Sequence, residues 1–340
     1  MLKLDEIQKR LLREVADLHE VPEGAYNIRS NSVSAGRQST ANIEIVPKEE
    51  VSGLEIRIKP GTKNESVHIP VVMTQSGLKE TVYNDFFIGE GADVVIVAGC
   101  GIDNCGNQDS QHDGIHRFFV GADADVVIVA GCGIDNCGNQ DSQHDGIHRF
   151  YVGKNARIRY VEKHYGSGTG SGKRILNPGT EVYMEEGSYA EMEMVQIKGV
   201  DDTERTTTAE LAAGAKLVVR ERLMTHGEQR AISNYVVNLK GEGASADVVS
   251  RSVARDHSFQ KFDAKIVGNA ACHGHTECDS IIMDEGRILA VPALEANNVD
   301  AELVHEAAIG KIAGEQLIKL MSLGLTAAEA EEQIINGFLQ

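Results

Sequence analysis

ADVVIVAGCGIDNCGNQDSQHDGIHRF, residues 92–118, reappears unchanged at 124–150, an offset of 32 residues. The match then runs on with Phe119 against Tyr151, Val120 against Val152 and Gly121 against Gly153. A compact core has no cavity for an insertion of that size. A solenoid accommodates it, because each coil packs only on its neighbours and one more coil lengthens the stack. Identity without drift marks a recent duplication or an engineered insertion.

The same phrase, an apolar strand, a small-residue turn, an alanine and a second apolar strand, recurs in weaker form along the chain. It reads FFIGEGADVVIV, FFVGADADVVIV, FYVGKNARIRYV, VYMEEGSYAEMEMV, ELAAGAKLVVRERL and VNLKGEGASADVVS. Anchored on Ala92, Ala124, Ala156, Ala190, Ala215 and Ala246, it returns at a nearly constant interval, shortened once between Ala190 and Ala215. Alternation along each strand turns one face inward, as the two sides of a flattened parallel β-helix require. The competing fold is an up-and-down barrel or sandwich of hairpins, whose pairing and closure an in-line insertion would disturb.

Composition agrees with short strands and tight turns: 340 residues, 35 glycines, no tryptophan and 5% aromatics. A formal charge of −18 argues against a broad nucleic-acid or anionic-membrane surface. No segment approaches the roughly 18 apolar residues of a membrane span, and the N-terminus lacks a signal-peptide pattern. The expectation is a soluble cytoplasmic protein with no nucleic-acid or membrane partner.

Leu4, Ile7, Leu11, Val15 and Leu18 fall on one helical stripe, ended by Pro22 and Gly24. Short alternating strands follow around Ile43–Ile45, Leu54–Ile58 and Val67–Val71. After about residue 299, Ala307, Ile309, Ile312, Leu317, Leu320 and Met321 read as helix, stopped by Gly324. Thr326 and Glu329 form a capping box that opens a last helix carrying Ala330, Ile334, Ile335 and Phe338. The expected division is an N-terminal helical segment 1–40, a β-helix core 41–298 and a C-terminal helical domain 299–340.

Cys100, Cys105, His112 and His116 make C-x4-C-x6-H-x3-H, and the copy supplies Cys132, Cys137, His144 and His148. Thiolate and imidazole donors suit zinc, ferrous iron or iron–sulfur clusters. In a cytosolic chain such pairs point to metal or redox chemistry more than to disulfides. The six-residue gap is not a zinc-finger spacing, and the bland alternative is small core cysteines beside turn-capping histidines. Cys272-His-Gly-His-Thr-Glu-Cys278 is a second cluster. On a strand His273 and His275 share one face, and Cys272, Gly274, Thr276 and Cys278 the other, so one strand cannot offer all four donors to one ion. His305-Glu306 is a structural pair or a ligand pair. GSGTGSGK at 166–173 fails the phosphate-loop pattern, which needs Gly where Ser167 stands and Ser or Thr where Arg174 stands. No nucleophile elbow or H-E-x-x-H helix is present. Stacked Asp109, Asp113, Asp141 and Asp145 would serve a β-helix hydrolase or lyase, but their stacking follows from the copying.

The tail ALEANNVDAELVHEAAIGKIAGEQLIKLMSLGLTAAEAEEQIINGFL, residues 293–339, closely resembles the C-terminal signature of the SufB/SufD family, scaffold subunits of SUF iron–sulfur cluster assembly. TECDSIIM at 276–283, with Pro292 beyond it, resembles the family too. The resemblance runs from about residue 20 onward, and the coil GCGIDNCGNQDSQHDGIHRF is similar to compact archaeal-type SufB members. It implies a right-handed parallel β-helix with helical ends, a SufC-type ATPase partner held by the C-terminal helices, and pairing of subunits, as homodimer or SufB/SufD-type heterodimer, through the end of the β-helix. A transient iron–sulfur cluster would gather near that interface, with no turnover by the scaffold itself, so the chain is expected not to be an enzyme. His305 matches the family's interface histidine, Glu306 the acid beside it, and Cys278 the cysteine of its CDS motif. The cysteine of SufB-type members aligns with Gly286. A thiolate must then come from Cys272, Cys278 or the coil cysteines Cys100, Cys105, Cys132 and Cys137, or the chain is SufD-like and lends only His305.

Overall fold

Gly91, Asp123, Asn155, Gly187, Gly214 and Gly243 all take positive φ, between 55° and 70°. Only glycine, and less readily Asn or Asp, enters that left-handed region cheaply, so the recurring turn is written in those three residues. In the structure, a computed structural model describing residues 4–340, the N–H of each of these corners donates to a carbonyl of the following rung. Residues 1–3 of the expected N-terminal segment lie outside the described residues.

The rungs build a parallel β-solenoid of about nine turns, with a helix at its N-terminal side and two at its C-terminus. Its two facing walls are a 12-stranded and an 11-stranded sheet. Neighbouring strands pair in parallel except for the hairpins Ala25–Ser30/Val33–Gln38 and Ile43–Pro47/Gly53–Ile58. The hairpin sandwich is thereby excluded for the repeat region.

The duplicated strands Asp93–Asn104 and Asp125–Asn136 pair residue on copied residue, as do Ser110–Val120 and Ser142–Val152. Identical side chains therefore stack between the walls. Phe86, Phe118 and Phe150 are fully buried, with successive rings 4.5 and 4.9 Å apart. Burying each ring contributes about 1.5–3 kcal/mol.

Beyond the copies, Arg157 pairs with Tyr189 at the duplicated spacing, whereas Tyr189 with Lys216, Lys216 with Ser245 and Ser245 with His273 make shorter rungs, unequal among themselves. Two expected anchors move: Ser188 and Ala244, not Ala190 and Ala246, follow the corner residues. The slip is by two positions, which preserves the inward face because strand side chains alternate with period 2. A second correction concerns Ala307 and Ile309. They lie in the strand Glu302–Gly310 rather than in a helix, because their rung still finds a ladder partner in His273–Ile282. The hairpin strands Ala25–Ser30 and Val33–Gln38 likewise fall inside segment 1–40.

Helix α1, Glu6–Ala16, is N-capped by Asp5 and lays Leu11, Leu12 and Val15 on the first sheet. It seats against bare backbone: a Cβ on Gly99 or Gly131 would stand 2.6 or 2.2 Å from the Val15 carbonyl oxygen. Helices α2, Gly314–Ser322, and α3, Ala327–Phe338, follow the last rung, and α3 carries the expected capping box. Among the described residues no helix is long and apolar enough to cross a membrane.

Candidate metal centres

Inside the doubled rungs, Cys100 and Cys132 stand on one wall and His112, His144, His116 and His148 on the other. Alternation buries both cysteines and all these imidazoles save His116, which is half-buried. The His112 and His144 rings stack 5.4 Å apart and the His116 and His148 rings 5.2 Å apart. Together the six line a cavity of about 20 Å³. One donor atom from each of Cys100, His112 and His144 lies within 4.8 Å of the other two.

Hydrogen bonds assign the tautomers. His112 Nδ1 donates to Glu80 at 3.1 Å and His144 Nδ1 to the His112 carbonyl at 2.8 Å. Tyr160 gives its proton to Glu162, so at 3.0 Å it accepts from His148 Nδ1. His116 is reversed, its Nδ1 accepting from the Asn84 amide. Three imidazoles thus keep an Nε2 lone pair. Burial holds His116, His144 and His148 below the ordinary imidazole range, His148 at about 4, and pushes the Cys100 and Cys132 thiols up.

Cys105 and Cys137 do not join that set. They sit in the loops after the inner strands, where in-register stacking brings their Cα atoms to 4.6 Å, and they form a disulfide. Paired in this way the two offer no thiolate to a metal. The physical reason is the copying itself: a rung stacked on its copy sets each loop cysteine against its own duplicate.

From the cavity a file of polar side chains continues along the otherwise apolar interior. Glu162 is bonded to Tyr160 and Arg205. Arg205 also faces Glu221 at 3.8 Å, and Glu221 accepts from Ser233, Tyr235 and Ser250. Burial would raise the Glu162 carboxyl, but the Arg205 guanidinium together with His164 and His148 outweighs it and holds the group well below the usual carboxylate range. Residue-by-residue motif scanning missed this trio. Its signal was present in ARIRYVEKHY, where Glu162 falls in phase with the inward Ile158 and Tyr160.

The last rung ends the file at an open edge. Thr276, Cys278 and His305 share the inward face, with Thr276 Oγ1 2.6 Å from His305 Nδ1. Cys278 is buried, 3.7 Å from Ser280 Oγ, and burial pushes its thiol up. Glu306 points outward, opposite in phase to His305, and joins His275 and Glu277 in a cluster with donors within 4.8 Å. The expected His305-Glu306 pair is therefore divided between two faces. Cys272 is buried, but six residues from Cys278 along an extended chain, about 20 Å, so the two cannot hold one ion. His273 and His275 do face away from the two cysteines, as alternation demands. Gly286 has no room for a side chain: a Cβ there would stand 2.6 Å from the Ala254 carbonyl oxygen.

The rim of this edge is apolar, with Leu289, Val291, Leu294, Val304 and Ile309 exposed. In α2 no side chain is buried, and Ile318 and Met321 face outward. Helix α3 packs Ile335 near Val253 in a small separate cluster.

The sequence profile described as "SUF system FeS cluster assembly, SufBD core domain" matches residues 116–338. An iron-sulfur cluster assembly SufBD family protein of Archaeoglobus fulgidus is 30% identical over 297 residues, 86% of this chain and 69% of that protein. One of Methanocaldococcus jannaschii is 31% identical over 188 residues, 54% of this chain and 58% of its own length. One of Methanothermobacter thermautotrophicus reaches 43% over 105 residues, 30% of this chain. That match spans only 26% of the Methanothermobacter protein's length. A β-solenoid with paired C-terminal helices, matched by the profile over most of its length, places this chain in the SufB/SufD family.

Proposed function

We propose that this protein is a scaffold subunit of iron–sulfur cluster assembly, holding a nascent cluster as cargo where two subunits meet. The observation that carries the proposal is the open last rung. There an inward histidine, His305, lies on the uncovered strand Glu302–Gly310, with the buried Cys278 thiol one strand behind it and an apolar rim around it. An exposed strand edge with an apolar rim is a surface built to be paired. Thiolate and imidazole would bind iron, and a mixed donor set is weak enough to release it. The exposed apolar side chains of α2 would receive a SufC-type ATPase, and the scaffold itself performs no turnover.

Anaerobic reconstitution with ferrous iron and sulfide tests this. The expected result is a visible charge-transfer band in the intact chain that weakens in His305→Ala and in Cys278→Ser. A band unchanged in both variants would remove the cluster from the open edge. Gly286 favours one second reading, a SufD-like docking subunit that binds no cluster. The backbone there excludes the side chain that SufB-type members place at the aligned position. A folded intact chain that develops no band would select it.

A further inference from the structure

Cys100, His112 and His144 are one residue pair and a copy. His144 is the duplicate of His112 on the next rung, stacked on it in register. We propose that the doubled rung builds a mononuclear site for a zinc-class or ferrous divalent ion, with Cys100, His112 and His144 as its first three ligands.

The three donors already lie within 4.8 Å of one another inside the solenoid. Each imidazole is oriented by its other nitrogen, His112 by the Glu80 carboxylate and His144 by a backbone carbonyl. That is the outer-shell arrangement that presents Nε2 to a metal and raises its basicity. The cavity, about 20 Å³, has room for one ion or water and not for a cluster. Cys132 lines the same cavity but stands outside that donor group, which leaves the fourth position to water. A thiolate with two imidazoles selects borderline metals of the zinc and ferrous class over calcium or magnesium. Binding balances simply: the hydrated ion sheds waters, the Cys100 thiol releases one proton to solvent, and no electron moves.

In a chain with one rung, Leu176 would take the place of His144 beside His112, since His144 and Leu176 are register partners. The duplication thus adds the third ligand. The site is separate from the open edge, so its failure and that of the scaffold proposal are told apart by different variants.

Anaerobic titration with Co²⁺ alone, followed by its thiolate charge-transfer band and by a proton-indicator dye, is the test. The intact chain should bind one Co²⁺ with a thiolate band and release one proton. Cys100→Ala should lose the band, and His144→Ala should weaken binding at least about tenfold. Deleting residues 119–150 joins Phe118 to Tyr151 in phase, which keeps the sheet signal in circular dichroism while abolishing the band. His305→Ala and the Cys105→Ser/Cys137→Ser form should bind as the intact chain does. No thiolate band in the intact chain, or an undiminished one after the deletion, would overturn the proposal.

Discussion

Arg205 is buried between two carboxylates, Glu162 and Glu221, inside the solenoid. Removing it leaves both acids without their counter-charge, which costs about 3–5 kcal/mol for a buried pair. Arg205→Met should therefore lower the urea midpoint sharply, and the triple form Glu162→Gln/Arg205→Met/Glu221→Gln should recover most of the loss. His148 sets a pH dependence of another kind. Burial holds it neutral down to about pH 4, whereas the unfolded chain takes up its proton near 6.5. Between those values the unfolded state binds one more proton, so stability falls as pH falls, by about 1.4 kcal/mol per pH unit for this group. Denaturation at pH 7 and pH 5 should show that decline, and His148→Gln should make it shallower. Single residues of this kind were hard to see in sequence. A charged residue in the inward phase of a strand is the signal, but the partners of Arg205 sit on other rungs, Glu162 on one wall strand and Glu221 on another.

At the scale of elements, the strand phrase and its corners were legible because both are local. Period-2 alternation and positive-φ residues recur wherever a rung turns. The anchor slip at Ala190 and Ala246 comes from the same periodicity, which cannot distinguish a shift of two. Ala307 and Ile309 were misread because a short apolar run suits helix or strand, and only an available ladder partner decides. The seat of α1 is a further tertiary matter. Gly99 and Gly131 read as strand glycines, yet their bareness admits the end of the helix to backbone contact. Gly131→Val should unseat α1, raising the rate of proteolysis in the N-terminal segment while the sheet signal persists.

At the scale of the whole molecule, each rung but the terminal ones is covered by its neighbours, and the C-terminal one is not. If two subunits pair there, Leu289→Asp/Val291→Asp should convert a dimer to a monomer in analytical ultracentrifugation, without loss of sheet content. Alternation and corner chemistry were enough to read the solenoid, its approximate repeat and the inward face of most strands, because φ/ψ preference acts within a few residues. Which donors meet was settled only by the packed coils. Cys100 faces a histidine and its copy while Cys105 faces its own duplicate, and His305 parts from Glu306. Convergence of that kind depends on cross-wall stacking and rung register, set by how whole coils pile up rather than by any one coil's residues.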